Sequence, residues 1–193
     1  MGIFERIFIG LTILFSLLNF IFPLKFGLLS SVLLFLLQIF YFGISYFVLN
    51  GFGIRAIVKN VNSIDSNNTM TPIIGGVLLA ILINGILFYL RYWPGSFIIL
   101  TFGLVFSTIF VLILVFKNVK QKSINEINIL KRFALFGIIA LILVLIPSKN
   151  FVRYKYRNHS KYAEALIYFY ENNSDEEAIR NMENEHKKMF ESN

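Results

Sequence analysis

YWPGSFIILTFGLVFSTIFVLILVF, residues 92–116, runs for 25 residues without an Asp, Glu, Lys or Arg. At a rise of 1.5 Å per residue, about 20 residues of helix cross a hydrocarbon layer roughly 30 Å thick. Within this stretch Ser96–Phe116 predicts a membrane-spanning helix, because only a helix satisfies its own backbone in lipid. Charge-free runs recur at 26–54, 66–90 and 133–148. The whole chain has 193 residues, 56% hydrophobic and 15% charged. An ordinary soluble domain is about half apolar and a quarter charged. This balance excludes a disordered chain and speaks against a soluble enzyme.

Working outward, five apolar segments are expected. The first is Ile7–Phe22, closed by the turn Pro23-Leu24-Lys25, since Pro cannot continue a helix ladder. The second is Phe26–Leu49, broken by Asn50-Gly51-Phe52-Gly53, and a polar loop fills 54–71. The third is Ile73–Tyr89, followed by the turn Arg91-Tyr92-Trp93-Pro94-Gly95 and the fourth segment. Lys117 to Arg132 reads as a basic connector, and Phe133–Ile146 is a fifth run ended by Pro147. Its fourteen residues reach only about 21 Å. It spans if Lys131, Arg132 and Lys149 snorkel to the headgroups; otherwise it is re-entrant or interfacial. The fold class is thus all-α: a polytopic membrane helical bundle of about five helices, residues 1–148, with a C-terminal helical tail, residues 149–193.

The N-terminus does not read as a signal peptide, because Glu5 and Arg6 cancel and no small-residue cleavage site follows Phe22. Phe22-Pro23 and Trp93-Pro94 each join two apolar runs, a faint repeat that suggests two hairpins joined by the 50–72 loop. Tyr89, Tyr92 and Trp93 at the second turn suit the headgroup level.

The net charge of +7 is uneven: eight of the eleven acids lie from Glu164 onward. Cations at the ends of apolar runs favour lipid headgroups over nucleic acid, for which no motif is present. Eight Lys or Arg fall on the side of the N-terminus and two on the other, which places the N-terminus in the cytoplasm. The tail disturbs the count. If the fifth run crosses, the balance is eight against seven; if it does not, thirteen against two. Its hydropathy favours crossing, and the side of the tail stays open.

No ionisable residue is expected inside a span. His159 and His186 both lie in the tail, there is no Cys, and no phosphate-binding or dinucleotide glycine pattern occurs. No enzyme, cofactor or metal is expected. The intramembrane polar residues Asn19, Ser30, Ser31, Gln38, Ser45, Asn84, Thr101, Ser107 and Thr108 have two readings: a polar path, or hydrogen bonds between helices, which contribute about 0.6–2 kcal/mol each. Gly76, Ala80 and Asn84 share one face of the third segment, and Gly103 and Ser107 one face of the fourth. These small residues are candidates for close helix packing and for self-association.

In the tail, Tyr162, Leu166 and Phe169 repeat at helical spacing after Ser160. Ser174-Asp175-Glu176-Glu177 reads as a capping box before a second stripe of Ile179, Met182, His186 and Met189. Glu171-Asn172-Asn173 would be the turn of a helical hairpin that docks a partner, covers its own apolar stripe, or lies on the bilayer. Asn-x-Ser/Thr triplets at Asn67, Asn158 and Asn172 do not read as glycosylation sites.

Leu87-Phe88-Tyr89-Leu90-Arg91-Tyr92-Trp93-Pro94-Gly95-Ser96, followed by an apolar run with Gly103, resembles the transmembrane hairpin of membrane proteins related to the gliding-motility and type IX secretion motor. The resemblance covers about 30 residues. It implies a helical protein of a bacterial inner membrane, driven in that family by proton flow. The family's motor needs a carboxylate within its helices, and the third and fourth segments have none, so no functional residue carries over.

Three functions are compatible with these residues. The first is a non-enzymatic accessory protein that recruits a partner or subunit. The second is a small channel or transporter with Asn84 and Gln38 lining its path. The third is a membrane-disrupting effector.

Overall fold

The computed structural model describes residues 3–49, 70–121, 124–172 and 174–191, and among them the regular secondary structure is all α-helix. Arg55, Lys59, Asn67 and the rest of the 50–69 loop lie outside the described residues, as do Lys122 and Asn173 and the side chain of Ser45. The chain divides into two compact units, 1–145 and 146–193.

The first unit is a membrane helical bundle with five helices long and apolar enough to cross a bilayer. They are α1 (Ile3–Ile21), α2 (Pro23–Leu49), α3 (Met70–Arg91), α4 (Ser96–Gln121) and α5 (Ile124–Leu145). Three boundaries differ from expectation for physical reasons. Pro23 does not lie in a turn but opens α2, where its missing N–H is no loss. Phe22 alone breaks the chain, and its carbonyl accepts from the Phe26 amide at 3.1 Å. The fifth helix gains nine residues by taking in part of the basic connector, so its 22 residues reach about 33 Å. Its length is no longer marginal, and Arg132 becomes an interior residue.

The turn between α3 and α4 is built locally. Tyr92 takes the left-handed conformation (φ 57°) usually left to Gly. The Trp93 amide donates to the Phe88 carbonyl and the Tyr92 amide to that of Tyr89, both at 3.0 Å. The Phe88 and Trp93 rings, 4.7 Å apart and edge to face, supply the apolar contact that accompanies such a cap.

Helix α3 is the most enclosed, packing against α2, α4 and α5, while α1 packs on α2. Its inner face is apolar: Leu79, Leu82, Ile83, Ile86 and Leu87 are buried. Glycines set the α3–α4 approach. A Cβ on Gly85 would stand 2.7 Å from the Leu100 Cα, and one on Gly103 would stand 3.1 Å from the Leu82 Cα. Outward positions such as Leu28, Phe42, Ile98, Phe116 and Leu145 are exposed, as lipid-facing side chains are.

The second unit holds three helices: α6 (Ser148–Lys155), α7 (Ser160–Glu171) and α8 (Glu176–Glu191). The expected hairpin is α7–α8; α6 is an addition that packs on α7, and its Phe151 and Val152 are buried, as are Tyr162, Ala163 and Leu166 of α7 and Ala178 and Met189 of α8. The N-cap of α8 is Asp175 rather than Ser174, since Asp175 Oδ1 accepts from the Glu177 amide at 2.9 Å. The inward stripe of α8 starts at Ala178, with Ile179 and Met182 only half-buried.

Candidate functional site

Polar side chains gather in the bundle at two places. At one, Glu5 in the first turn of α1 meets Arg132 of α5. The Arg132 Nε donates to Glu5 Oε1 at 2.5 Å and Nη2 to Oε2 at 2.7 Å, a bidentate pair. Both side chains are enclosed, at 1% and 4% exposure. The Tyr41 hydroxyl of α2 donates to Glu5 Oε1 at 2.8 Å, and Arg132 Nη1 donates to the Asn128 carbonyl at 2.9 Å. Taking two ions out of water is costly, and only full pairing with added hydrogen bonds offsets it. Nearby on α4 and α5, Lys117 and Glu126 form a second pair at 2.7 Å.

At the other end of α1 and α2, Arg91 Nε of α3 donates to Ser31 Oγ at 2.5 Å. Ser31 in turn donates to the Gly27 carbonyl at 2.9 Å, as Ser30 does at 3.0 Å. Gly27 admits Asn19 of α1: a Cβ there would lie 3.3 Å from Asn19 Oδ1 and 3.8 Å from Arg91 Nη1.

The expectation of no ionisable residue inside a span is therefore corrected by Arg132, which the longer fifth helix takes in, paired with Glu5 in the first turn of α1. The missed signal was periodic. Glu5, Ile9, Thr12 and Asn19, at spacings of 4, 3 and 7, are the buried residues of α1, so this helix turns its polar face inward. Ile129, Arg132, Phe136, Ala140 and Leu143 likewise form the buried stripe of α5. Each charge lies on a face that helical periodicity marks as internal.

The packing candidates are placed as follows. Gly76 and Ala80 are buried within the bundle, and Gly103 faces α3 at close range. Ser107 is buried with its hydroxyl unpartnered, whereas the Thr101 and Thr108 hydroxyls bond the carbonyl four residues earlier. Asn84 is half-buried on α3. Gly85, which comes closest to the α4 backbone, and Gly75 also face α4 and are not among the candidates. A Cβ on Gly75 would lie 3.3 Å from the Phe110 ring.

No family model, curated protein or solved structure matches the chain.

In the second unit, the basic stretch after α5 is partly neutralised from within. Lys149 pairs with Glu171, and Arg153 grips Glu164 through Nε at 2.7 Å and Nη2 at 3.2 Å. The hydrogen bonds from Arg153 hold the Glu164 carboxyl below its usual pKa, aided by the charges of Arg153 and Lys149. Lys155 is buried, with its ammonium 5.5 Å from the Tyr156 ring centre and 6.0 Å from that of Phe151. His186 packs between Tyr162 and Phe190, at 5.3 and 4.8 Å between ring centres.

Proposed function

We propose that this protein is a non-enzymatic, multi-pass accessory subunit of a bacterial inner membrane that recruits a partner through its C-terminal unit. The observation that supports this reading is the composition of residues 146–193. They build their own core and use Glu164 and Glu171 to neutralise their own Arg153 and Lys149, yet leave Tyr154, Tyr168 and Phe190 exposed. Aromatic side chains left exposed on a small helical unit are the usual anchors of a protein interface. Both oxygens of Glu5 are engaged by Arg132, which agrees with a structural rather than a catalytic carboxylate. Five crossings would put the two termini on opposite sides, with the tail outside if the cation-rich side is cytoplasmic. The bacterial inner membrane comes from the resemblance of the α3–α4 hairpin.

Copurification from native membranes, with and without residues 149–193, tests the reading. Partners recovered only with the full chain support it. The same partners in both preparations, or none, overturn it.

A small channel or transporter is the second reading, favoured by the inward polar face of α1 and by Gln38 and Asn84. These two amides lie at one level on neighbouring helices, each two turns from the Ser31–Arg91 bond. Solute flux in liposomes that is lost with Asn84→Leu would displace the accessory reading.

A further inference from the structure

At Gly27 of α2, side chains from α1 and α3 come together: Asn19 and Arg91 both lie within 4 Å of the position a Cβ would take there. Helix α1 carries Thr12, Ser16 and Asn19; α2 carries Gly27, Ser31, Gln38 and Tyr41; α3 carries Asn84 and Arg91. The spacings, all of three, four or seven residues, keep each set on one side of its helix. Two contacts fix the α1–α2 register: Glu5 bonds Tyr41, and Asn19 lies against Gly27. The Ser31–Arg91 bond fixes that of α2 and α3. From Gly27 to Tyr41 the polar interface extends about 21 Å along the axis.

Three buried acceptors on these faces have no hydrogen-bond partner: Ser16 Oγ, Asn19 Oδ1 and Gln38 Oε1. Asn19 is 2% exposed, so neither lipid nor bulk solvent explains it. An amide oxygen enclosed without a donor is costly, and in a bundle set in lipid the donor that remains is water. Asn19 Oδ1 and Arg91 Nη1 flank one point above Gly27, a ready acceptor and donor for a bridging molecule. Arg91 is half-buried at the end of α3 and so stands where aqueous solvent begins. The two carboxylates described in the bundle are held elsewhere, Glu5 by Arg132 and Glu126 by Lys117. The Arg91 end is therefore electropositive. Leu34, on α2 between Ser31 and Gln38, is buried and apolar.

We propose that the α1–α2–α3 interface is a hydrated crevice, entered beside Arg91, that binds water and small anionic solutes. A wet crevice requires no transport and no recruited partner, so it stands apart from both readings of function above.

The chain contains no Cys, which makes the test direct. Single cysteines are introduced as Ser16→Cys, Asn19→Cys and, on the lipid-facing side of α1, Leu14→Cys. Each full-length variant is reconstituted in phosphatidylethanolamine–phosphatidylglycerol vesicles and treated with 2-sulfonatoethyl methanethiosulfonate, a small anion that does not partition into hydrocarbon. Since only a hydrated thiol ionises and reacts, Ser16→Cys and Asn19→Cys are expected to react at least about tenfold faster than Leu14→Cys. Adding Arg91→Gln to Ser16→Cys is expected to slow its reaction roughly fivefold or more, because the guanidinium gathers anions at the mouth. Interface cysteines that react no faster than Leu14→Cys overturn the crevice. A rate unaffected by Arg91→Gln overturns its anion preference. Ser16→Cys changes one atom and keeps the test decisive if Asn19→Cys does not fold.

Discussion

Glu5 and Arg132 are 127 residues apart in the chain and meet in a bidentate ion pair that ties the first helix to the fifth. Tyr41 of the second helix completes the tie. The pair matters because α1 otherwise rests mainly on α2. Removing one charge strands the other in a low-dielectric interior. Glu5→Gln and Arg132→Leu are each expected to destabilise the bundle by about 3–5 kcal/mol. The double variant Glu5→Gln/Arg132→Leu should cost less than the sum. Unfolding in detergent, read as a double-mutant cycle, checks this; additive losses would mean that the two residues do not support each other.

Glycine substitutions separate close packing from open surface. Gly85→Ala places a Cβ 2.7 Å from the Leu100 Cα, where backbone must move, and is expected to cost roughly 1–3 kcal/mol. Gly137→Ala meets nothing within 4 Å and should stabilise α5 by about 0.5–1 kcal/mol through helix propensity. The midpoints of thermal unfolding for the two variants should fall on opposite sides of the parent.

The five-helix bundle was legible because charge-free runs are long and lipid leaves helices no substitute. The partner of Arg132 was not, since pairing over 127 residues has no local signature. Arg132 looked like the end of a connector because the apolar run begins only at Phe133. The structure continues the helix through it, because Glu5 neutralises the charge that would otherwise mark a boundary. The same limit hid Gly85: nothing nearby in sequence says that Leu100 will press on it. Gly103 was found because a small residue in an apolar helix suggests close approach, although its partner, Leu82, was not. In the tail, Ser174 and Asp175 are both good caps, and one-residue choices between neighbours depend on the turn before them.

The Arg153–Glu164 pair gives the tail a defined pH response. Bonding to Arg153 lowers the carboxyl pKa in the folded state. Such a group contributes stability that is fully present above its unfolded value, about 4.3, and is lost as pH falls through the lowered one. Amide protection in α7 of the full chain should therefore weaken as the pH falls below about 4. Arg153→Gln should flatten that part of the dependence. An unchanged pH profile in this variant would remove the pair as its source.

Asp175 holds the first turn of α8 by accepting from the Glu177 amide. Asp175→Ala should cost about 1 kcal/mol of local stability, while Ser174→Ala should change little. Hydrogen exchange at the first amides of α8 distinguishes the two.

Partitioning of the full chain during alkaline extraction of expressing cells tests most directly that residues 3–145 are a bundle made for lipid. The protein is expected to stay with the membrane pellet and to need detergent for release. Recovery of a folded, monodisperse chain in aqueous buffer without detergent would contradict it.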